Sequence, residues 1–327
     1  MELLANTQSS SYEIVTSCIN KTPFKDSLKH YFSSILGEDK VSLKHMFDFP
    51  KIFFAAFYRD KEQCEDVMEE VSLAGYLMYM SIMQYDEFID SVKTIDKKID
   101  FSFNSSVLHE EAVRMLSRLF KYSSPFWKRW NENRSQLHDA IKQDMLFKIL
   151  LSTKNLGEKE NKLSEYIKQM PAVSIREYLH LARGKSAVGK SAIDAAYLLS
   201  NSKNALQYKA LLRSHDLFMT AINIMDDITD IEKDIENPQI NSAHLLVADR
   251  VKSFSGAGKP INIESVADLK YYFYSTSCAL DLLNFVISCF DKATKIVEPY
   301  NAPDWNYFIN KYKQGAMQMI SVVYKQN

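Results

Sequence analysis

Apolar positions recur along this chain at the three- and four-residue spacing of helices. From Lys61 to Val92 the pattern is nearly continuous: Val67, Val71, Ala74, Met78 and Ile82 form one stripe, and Tyr76, Tyr79, Met83, Asp86 and Asp90 form a second. Upstream, the pattern predicts one or two short amphipathic helices over 12–40, divided by Pro23, and a bulky helix opening at Phe53. Residues 94–106 read as a polar connection. Helices are predicted from His109 through Phe120 and from Pro125 through Leu151, with a polar loop over 152–161. Glu165 to Leu181 reads as a further helix interrupted at Pro171; over its end and into the next residue Ile175, Tyr178, Leu179 and Ala182 keep the helical spacing. Leu206 to Asp234 reads as a single helix. Pro238, Gly256, Gly258 and Pro260 predict a loop over 237–264, followed by two long helices near 265–298 and, beyond Pro303, a last helix carrying Trp305, Phe308, Lys311, Tyr312 and Met317.

Composition supports this picture. The chain has 327 residues but only 8 Gly and 8 Pro, so tight turns are scarce and long helices are favoured. No repeat or low-complexity tract is visible. Length alone suggests two domains, yet the continuous helical pattern reads as one all-helical domain, 1–327. Hydrophobic residues make up 46% and the formal net charge is −1, which points away from nucleic acid as a partner and away from disorder. Cys18, Cys64, Cys278 and Cys289 lack metal-site spacing and read as reduced core thiols. Met1 to Ser11 is polar, unlike a signal peptide, and no run of about 18 apolar residues predicts a membrane span. The expected location is the cytoplasm, with no stable membrane insertion.

Acid is concentrated where the helix pattern is strongest. Asp226, Asp230 and Asp234 fall at i, i+4 and i+8, so a helix stacks them along one face. An acidic face can simply be solvated. It can also hold a hard divalent cation, and Mg²⁺ in particular is shared between a few carboxylates and substrate phosphates. Asp86 and Asp90 repeat the i, i+4 spacing at the end of the long apolar run, where the helix dipole disfavours acid. Two such faces could enclose a group of cations.

Gly184 to Ser191 matches the letters of the phosphate-binding P-loop, GxxxxGK[ST]. That loop needs a strand before it, whereas Ile175, Tyr178, Leu179 and Ala182 place a helix there. The better reading is a helix broken by two glycines, whose free N–H groups can face phosphate. Arg183 and Lys185 add positive charge at the break.

Asp86-Glu87-x-x-Asp90 resembles the first aspartate-rich motif of the class I isoprenoid synthases, and Asp226-Asp227-x-x-Asp230-x-x-Lys233-Asp234 resembles their second. Order and spacing fit over roughly Phe53 to Tyr312. The resemblance implies an all-α, class I terpenoid synthase-like helical bundle around a central active-site cavity. It implies Mg²⁺, as a three-ion cluster for which Mn²⁺ can substitute, on Asp86, Asp90, Asp226, Asp230 and Asp234. It also implies a diphosphate held by Lys233 and by a basic residue ahead of the second motif, for which Arg183 and Lys185 are both candidates. Lys311-Tyr312 is similar to a basic–Tyr pair that caps the diphosphate, with Lys lacking the bidentate fork of Arg. Asp86, Asp226 and Arg183 are the expected catalytic residues.

The implied partner is an allylic prenyl diphosphate, C15 or C20, with a homodimer compatible. No Gly-Gly-Lys occurs and no arginine pair follows Asp90, so a second site for isopentenyl diphosphate is not evident. The expectation is therefore a class I terpene synthase, a carbon–oxygen lyase that ionises the diphosphate and cyclises the cation. Phe53, Phe57 and Tyr79 would be available to line its cavity. One alternative is a trans-prenyltransferase joining the allylic group to isopentenyl diphosphate or another acceptor. A second is a non-catalytic helical binding protein.

Overall fold

Helix follows wherever the apolar spacing runs uninterrupted by glycine or proline. The structure is a computed structural model and describes residues 40–58, 64–90, 95–152, 175–236, 239–256, 263 and 265–326. In chain order the helices are α1 (Lys40–Phe57), α2 (Glu65–Asp90), α3 (Ile95–Leu119), α4 (Pro125–Ser152), α5 (Ile175–Lys185), α6 (Lys190–Leu199), α7 (Ala205–Thr229), α8 (Ile231–Glu236), α9 (Ser242–Gly256), α10 (Val266–Ser275), α11 (Cys278–Val297) and α12 (Pro303–Gln326). A 3₁₀ turn, Ala187–Gly189, separates α5 from α6. No strand occurs among the described residues, and the all-α expectation holds. The helices predicted over 12–40, and the segment around Pro171, lie outside the described residues.

Two sequence-based boundaries are corrected. The expected connection over 94–106 is not one: from Ile95 on it is most of the first half of α3. Most of its residues are polar, but none is Gly or Pro, so nothing in it stops a helix. The stretch 237–264 is not one loop, because α9 occupies its middle. Asn241 caps that helix, its side-chain oxygen accepting from His244 N–H at 3.0 Å.

The chain divides into two compact units, Met1–Lys128 with Ala192–Lys203, and Arg129–Ser191 with Asn204–Asn327. In the first, α2 packs along α3, and Ser81 and Ser105 each donate a hydroxyl to the other's backbone carbonyl at 2.8 and 2.9 Å. Pro50, inside α1, meets α2 at Gly75, where a Cβ would stand 3.2 Å from the proline ring. Phe47, Phe53, Phe54, Ala74 and Leu108 form the core.

In the second unit α7 packs on α11 and α12. The buried Leu283, Val286, Phe290, Ala293 and Val297 of α11 recur at three and four residues, the stripe that faces α7. Phe218 of α7 sits at the centre of an aromatic group, with ring centroids 4.9 Å from Trp305, 5.7 Å from Phe290 and 5.4 Å from both Phe308 and Tyr312. A polar relay crosses it: Trp305 Nε1–H donates to Ser214 Oγ at 2.8 Å, and that hydroxyl donates to the Ala293 carbonyl at 2.8 Å. Cys64, Cys278 and Cys289 are buried thiols in no disulfide, whereas Cys18 lies outside the described residues. Among the described residues no single helix is long and apolar enough to cross a membrane.

His215, stacked beside Trp305, is fully buried, and that burial lowers its pKa to about 3. The unfolded chain protonates this residue near pH 6.5 and the folded chain does not. Its contribution to stability is therefore complete above pH 6.5 and is lost as pH falls toward 3. Between pH 6.5 and 4.5 the wild type should lose roughly 2 kcal/mol more stability than His215→Phe, the slope rising to about 1.4 kcal/mol per unit once the unfolded chain is fully protonated. Urea unfolding of both proteins at the two pH values measures this, and parallel losses would refute it.

Candidate functional site

The literal P-loop motif turns out to be a helix-docking motif. Gly184 stands against α4, where an added Cβ would lie 2.8 Å from Ala140 Cβ and 2.9 Å from the Gln136 carbonyl oxygen. Only the missing side chain permits that approach. Lys190 donates to Gln136 Oε1 at 2.8 Å and pairs with Asp216 of α7 at 3.3 Å. Ser191 Oγ accepts from Asn133 Nδ2 at 3.2 Å. Gly184, Lys190 and Ser191 thus serve packing, and the helix before them is α5, as its spacing predicts.

The predicted helix break is present. α5 ends at Lys185, and Asn223 of α7 donates its amide to the Ala182 carbonyl at 2.7 Å, satisfying an acceptor near the end of α5. Arg183 is exposed, with Nε 3.4 Å from Thr220 Oγ1. Lys185 Nζ lies 3.3 Å from Asp144 Oδ2 of α4. The two basic candidates therefore differ in surroundings: Lys185 is held at the break by a carboxylate, while Arg183 leans on the α7 hydroxyl.

α7 carries the acidic stretch. The helix is interrupted at Asp230, yet the backbone bonds Asp230 N–H to Asp226 O at 2.9 Å and Asp234 N–H to Asp230 O at 2.8 Å carry the helical pitch across. Asp226, Asp230 and Asp234 thus keep their one-turn spacing. Partial burial raises the Asp226 pKa, and the Asp230 charge raises it further against the opposing Lys233 and Lys185. Burial also raises Asp234, offset by the Asn241 hydrogen bond and reinforced by Asp230. Lys233 Nζ pairs with Asp230 Oδ2 at 3.0 Å, and this bond raises the lysine pKa.

Asp227, one residue on, has a different task that its letters did not reveal. It is buried, and its carboxylate accepts from Tyr178 O–H at 3.0 Å, Ser242 N–H at 3.0 Å and Ser242 O–H at 2.6 Å. Asn241 Nδ2 bridges the Asp227 carbonyl at 3.0 Å and Asp234 Oδ2 at 2.9 Å. Asp227 therefore ties α7 to α5 and α9, while Asn241 orients Asp234 from behind. Burial pushes the Asp227 carboxyl up to about 6 despite those donors. The signal that sequence reasoning missed is Asn241-Ser242-x-His244 opening α9.

The donors suit Mg²⁺ in a particular way. Among the described residues no three acidic, imidazole or thiolate groups gather closely enough to enclose one ion. Mg²⁺ does not need such a cage, since it takes one or two carboxylates and completes its shell with water and phosphate. The crowded, charge-raised Asp226 and Asp234 fit that role.

The other expected residues fall as follows. Asp86 is exposed one turn before the end of α2, and Asp90 is the last residue of that helix, its side chain outside the described set. Lys311 is exposed on α12, while Tyr312 packs on Phe218, two turns before Asp226 in α7, and burial raises its pKa. Phe53 is fully enclosed in the first unit's core beside Phe49; Phe57 pairs with Tyr197, and Tyr79 is half-buried.

No protein-family model and no curated protein matches the chain. Solved structures do. A decaprenyl diphosphate synthase from Rhodobacter capsulatus matches with a TM-score of 0.70 at 11% identity, over 98% of both chains. An octaprenyl pyrophosphate synthase from Helicobacter pylori matches at 0.68 and 13% identity, over 94% of this chain and 98% of its own. A geranylgeranyl pyrophosphate synthase from Corynebacterium glutamicum, complexed with isoprenyl diphosphate and magnesium, matches at 0.63 and 13% identity, over 94% and 97%. These neighbours are prenyltransferases, and they overturn the expectation of a carbon–oxygen lyase of the terpene synthase kind. That expectation leaned on two short motifs being absent, which carries little weight in a chain this divergent. The chain has the all-α fold that these isoprenyl diphosphate synthases share, the fold that the resemblance of its aspartate motifs implied.

Proposed function

We propose that the chain is a Mg²⁺-dependent trans-prenyltransferase. It would move the allylic group of a prenyl diphosphate, C15 or C20, onto isopentenyl diphosphate or another acceptor. The allylic C–O bond breaks, a C–C bond forms to the acceptor alkene, the acceptor loses a proton, and diphosphate leaves. The observation that carries this reading is the one-turn spacing of Asp226, Asp230 and Asp234, kept across the helix break by two backbone bonds and close enough to Lys185 for its charge to act on Asp226, in a chain with this fold. Bound Mg²⁺ would supply charge neutralisation of the leaving diphosphate. Asp226, Asp230 and Asp234 would hold ions there, and Asp86 and Asp90 are the remaining proposed metal ligands; Lys185, Arg183 and Lys233 would contact diphosphate oxygens. Lys233 is exposed and bonded to Asp230 within one turn, a pairing worth a few tenths of a kcal/mol that exchanges readily. Asn241 would keep one Asp234 oxygen turned to the ion. Residues 1–327 would act as one domain, and a cytoplasmic homodimer is compatible with this reading.

The test is to supply C10, C15 and C20 allylic diphosphates with Mg²⁺, with and without isopentenyl diphosphate, and analyse the products by mass spectrometry. A longer diphosphate formed only with isopentenyl diphosphate is the expected result. Diphosphate release without any acceptor, or no turnover with any pair, would overturn the proposal.

A further inference from the structure

We propose that Asp144 is a positioning residue for Lys185, holding its ammonium at the end of α5 and off the acidic face of α7. This rests on the diphosphate-binding reading above.

The register of α4 carries the inference. Asn133, Gln136, Ala140 and Asp144 follow one another at three, four and four residues, so they share one face of that helix. Each meets the segment after Ala182: Asn133 bonds Ser191, Gln136 bonds Lys190, Ala140 abuts Gly184 and Asp144 pairs with Lys185. The absent Gly184 side chain lets α5 approach, and one turn further along α4 the Asp144 carboxylate falls beside the very next residue. The pair is fixed by docked backbone, unlike two long side chains that find each other at a surface. Asp144 is only 19% exposed and Lys185 38%.

On the other side, Lys185 acts on α7. Its charge lowers both Asp226 and Asp227, against the rise that burial imposes. The ammonium is therefore paired with a carboxylate on α4, while its charge reaches two on α7. A lysine is a point charge on a flexible four-carbon stem. Released from Asp144, it would turn to Asp226, on which its charge already acts, and compete there with a cation. Asp144 thus keeps Lys185 available to a phosphate oxygen and keeps Asp226 available to an ion.

Calorimetric binding of inorganic pyrophosphate in the presence of Mg²⁺ tests this on the full chain. Asp144→Asn should weaken pyrophosphate about tenfold and raise the Mg²⁺ needed for half-maximal binding, with unchanged helicity. Lys185→Met should weaken it at least as much, without raising the Mg²⁺ requirement. The double variant should bind no more weakly than Lys185→Met alone. Asp144→Glu keeps the charge and should retain affinity within a few-fold. Wild-type binding with Asp144→Asn within twofold of it overturns this inference alone. So does an Asp144→Asn loss that persists undiminished beside Lys185→Met. A wild type that does not bind pyrophosphate with Mg²⁺ overturns the diphosphate site and this inference together.

Discussion

Replacing Asp226 by Asn should lower turnover about a hundredfold or more while the folded state becomes no less stable. The carboxylate is crowded: burial and the Asp230 charge both raise its pKa. A like charge held near another costs folding energy and is retained only where something else gains from it. If that gain is a cation shared with diphosphate, removing one charge forfeits several kcal/mol of stabilisation for the leaving group, and about 1.4 kcal/mol is tenfold in rate. Asn has the same size and is neutral, so the repulsion with Asp230 disappears and the melting temperature should hold or rise. Loss of turnover combined with gain of stability is the signature of a functional acid. Asp230→Asn and Asp234→Asn should follow the same pattern, Asp234 more weakly in stability because Asn241 already bonds its carboxylate. Small, equal losses at all three positions would mean that the stretch is a solvated face. The measurement is diphosphate release over a Mg²⁺ titration, alongside thermal unfolding.

What the sequence disclosed and what it hid divide along physical lines. Periodicity is local, so α2, α4, α5, α7 and α12 could be read from apolar spacing within a few residues. The break between α5 and α6 could be read too, from Gly184 and Gly189. Polarity misled where it was mistaken for irregularity: Asp96, Lys98 and Asp100 are polar because they sit on a helix, not because the chain turns there. Pairwise contacts were hidden. Nothing in the letters ties Gly184 to Ala140, or Lys185 to Asp144, because those partners lie on another helix far away in sequence. The transferase and lyase readings were hidden for a chemical reason. Both begin by drawing diphosphate from an allylic carbon, so the acids and bases serving that step do not differ between them.

Asp227 lies about 100° round the helix from Asp226, off the face that Asp226, Asp230 and Asp234 share. The structure gives it a different importance. Asp227→Ala should destabilise the fold by roughly 3–5 kcal/mol, because Tyr178 O–H and both Ser242 donors would lose a buried acceptor and each orphaned group costs about 1–3 kcal/mol. Against a typical total of about 5–15 kcal/mol, that brings the chain near unfolding at 37 °C. Asp227→Asn fills the same space, but its NH₂ must face either Tyr178, whose hydroxyl then has to turn from donor to acceptor, or the Ser242 N–H, donor against donor. Tyr178→Phe removes a bond that Asp227→Asn has already weakened. The double variant Asp227→Asn/Tyr178→Phe should therefore be less destabilised than the two single losses added together, with a coupling of about 1 kcal/mol or more. Urea unfolding of the four proteins measures it. Strict additivity would mean that Tyr178 and Asp227 do not bond in solution, and the tie between α5 and α7 that sets the break at Lys185 against the acidic helix would have to be abandoned.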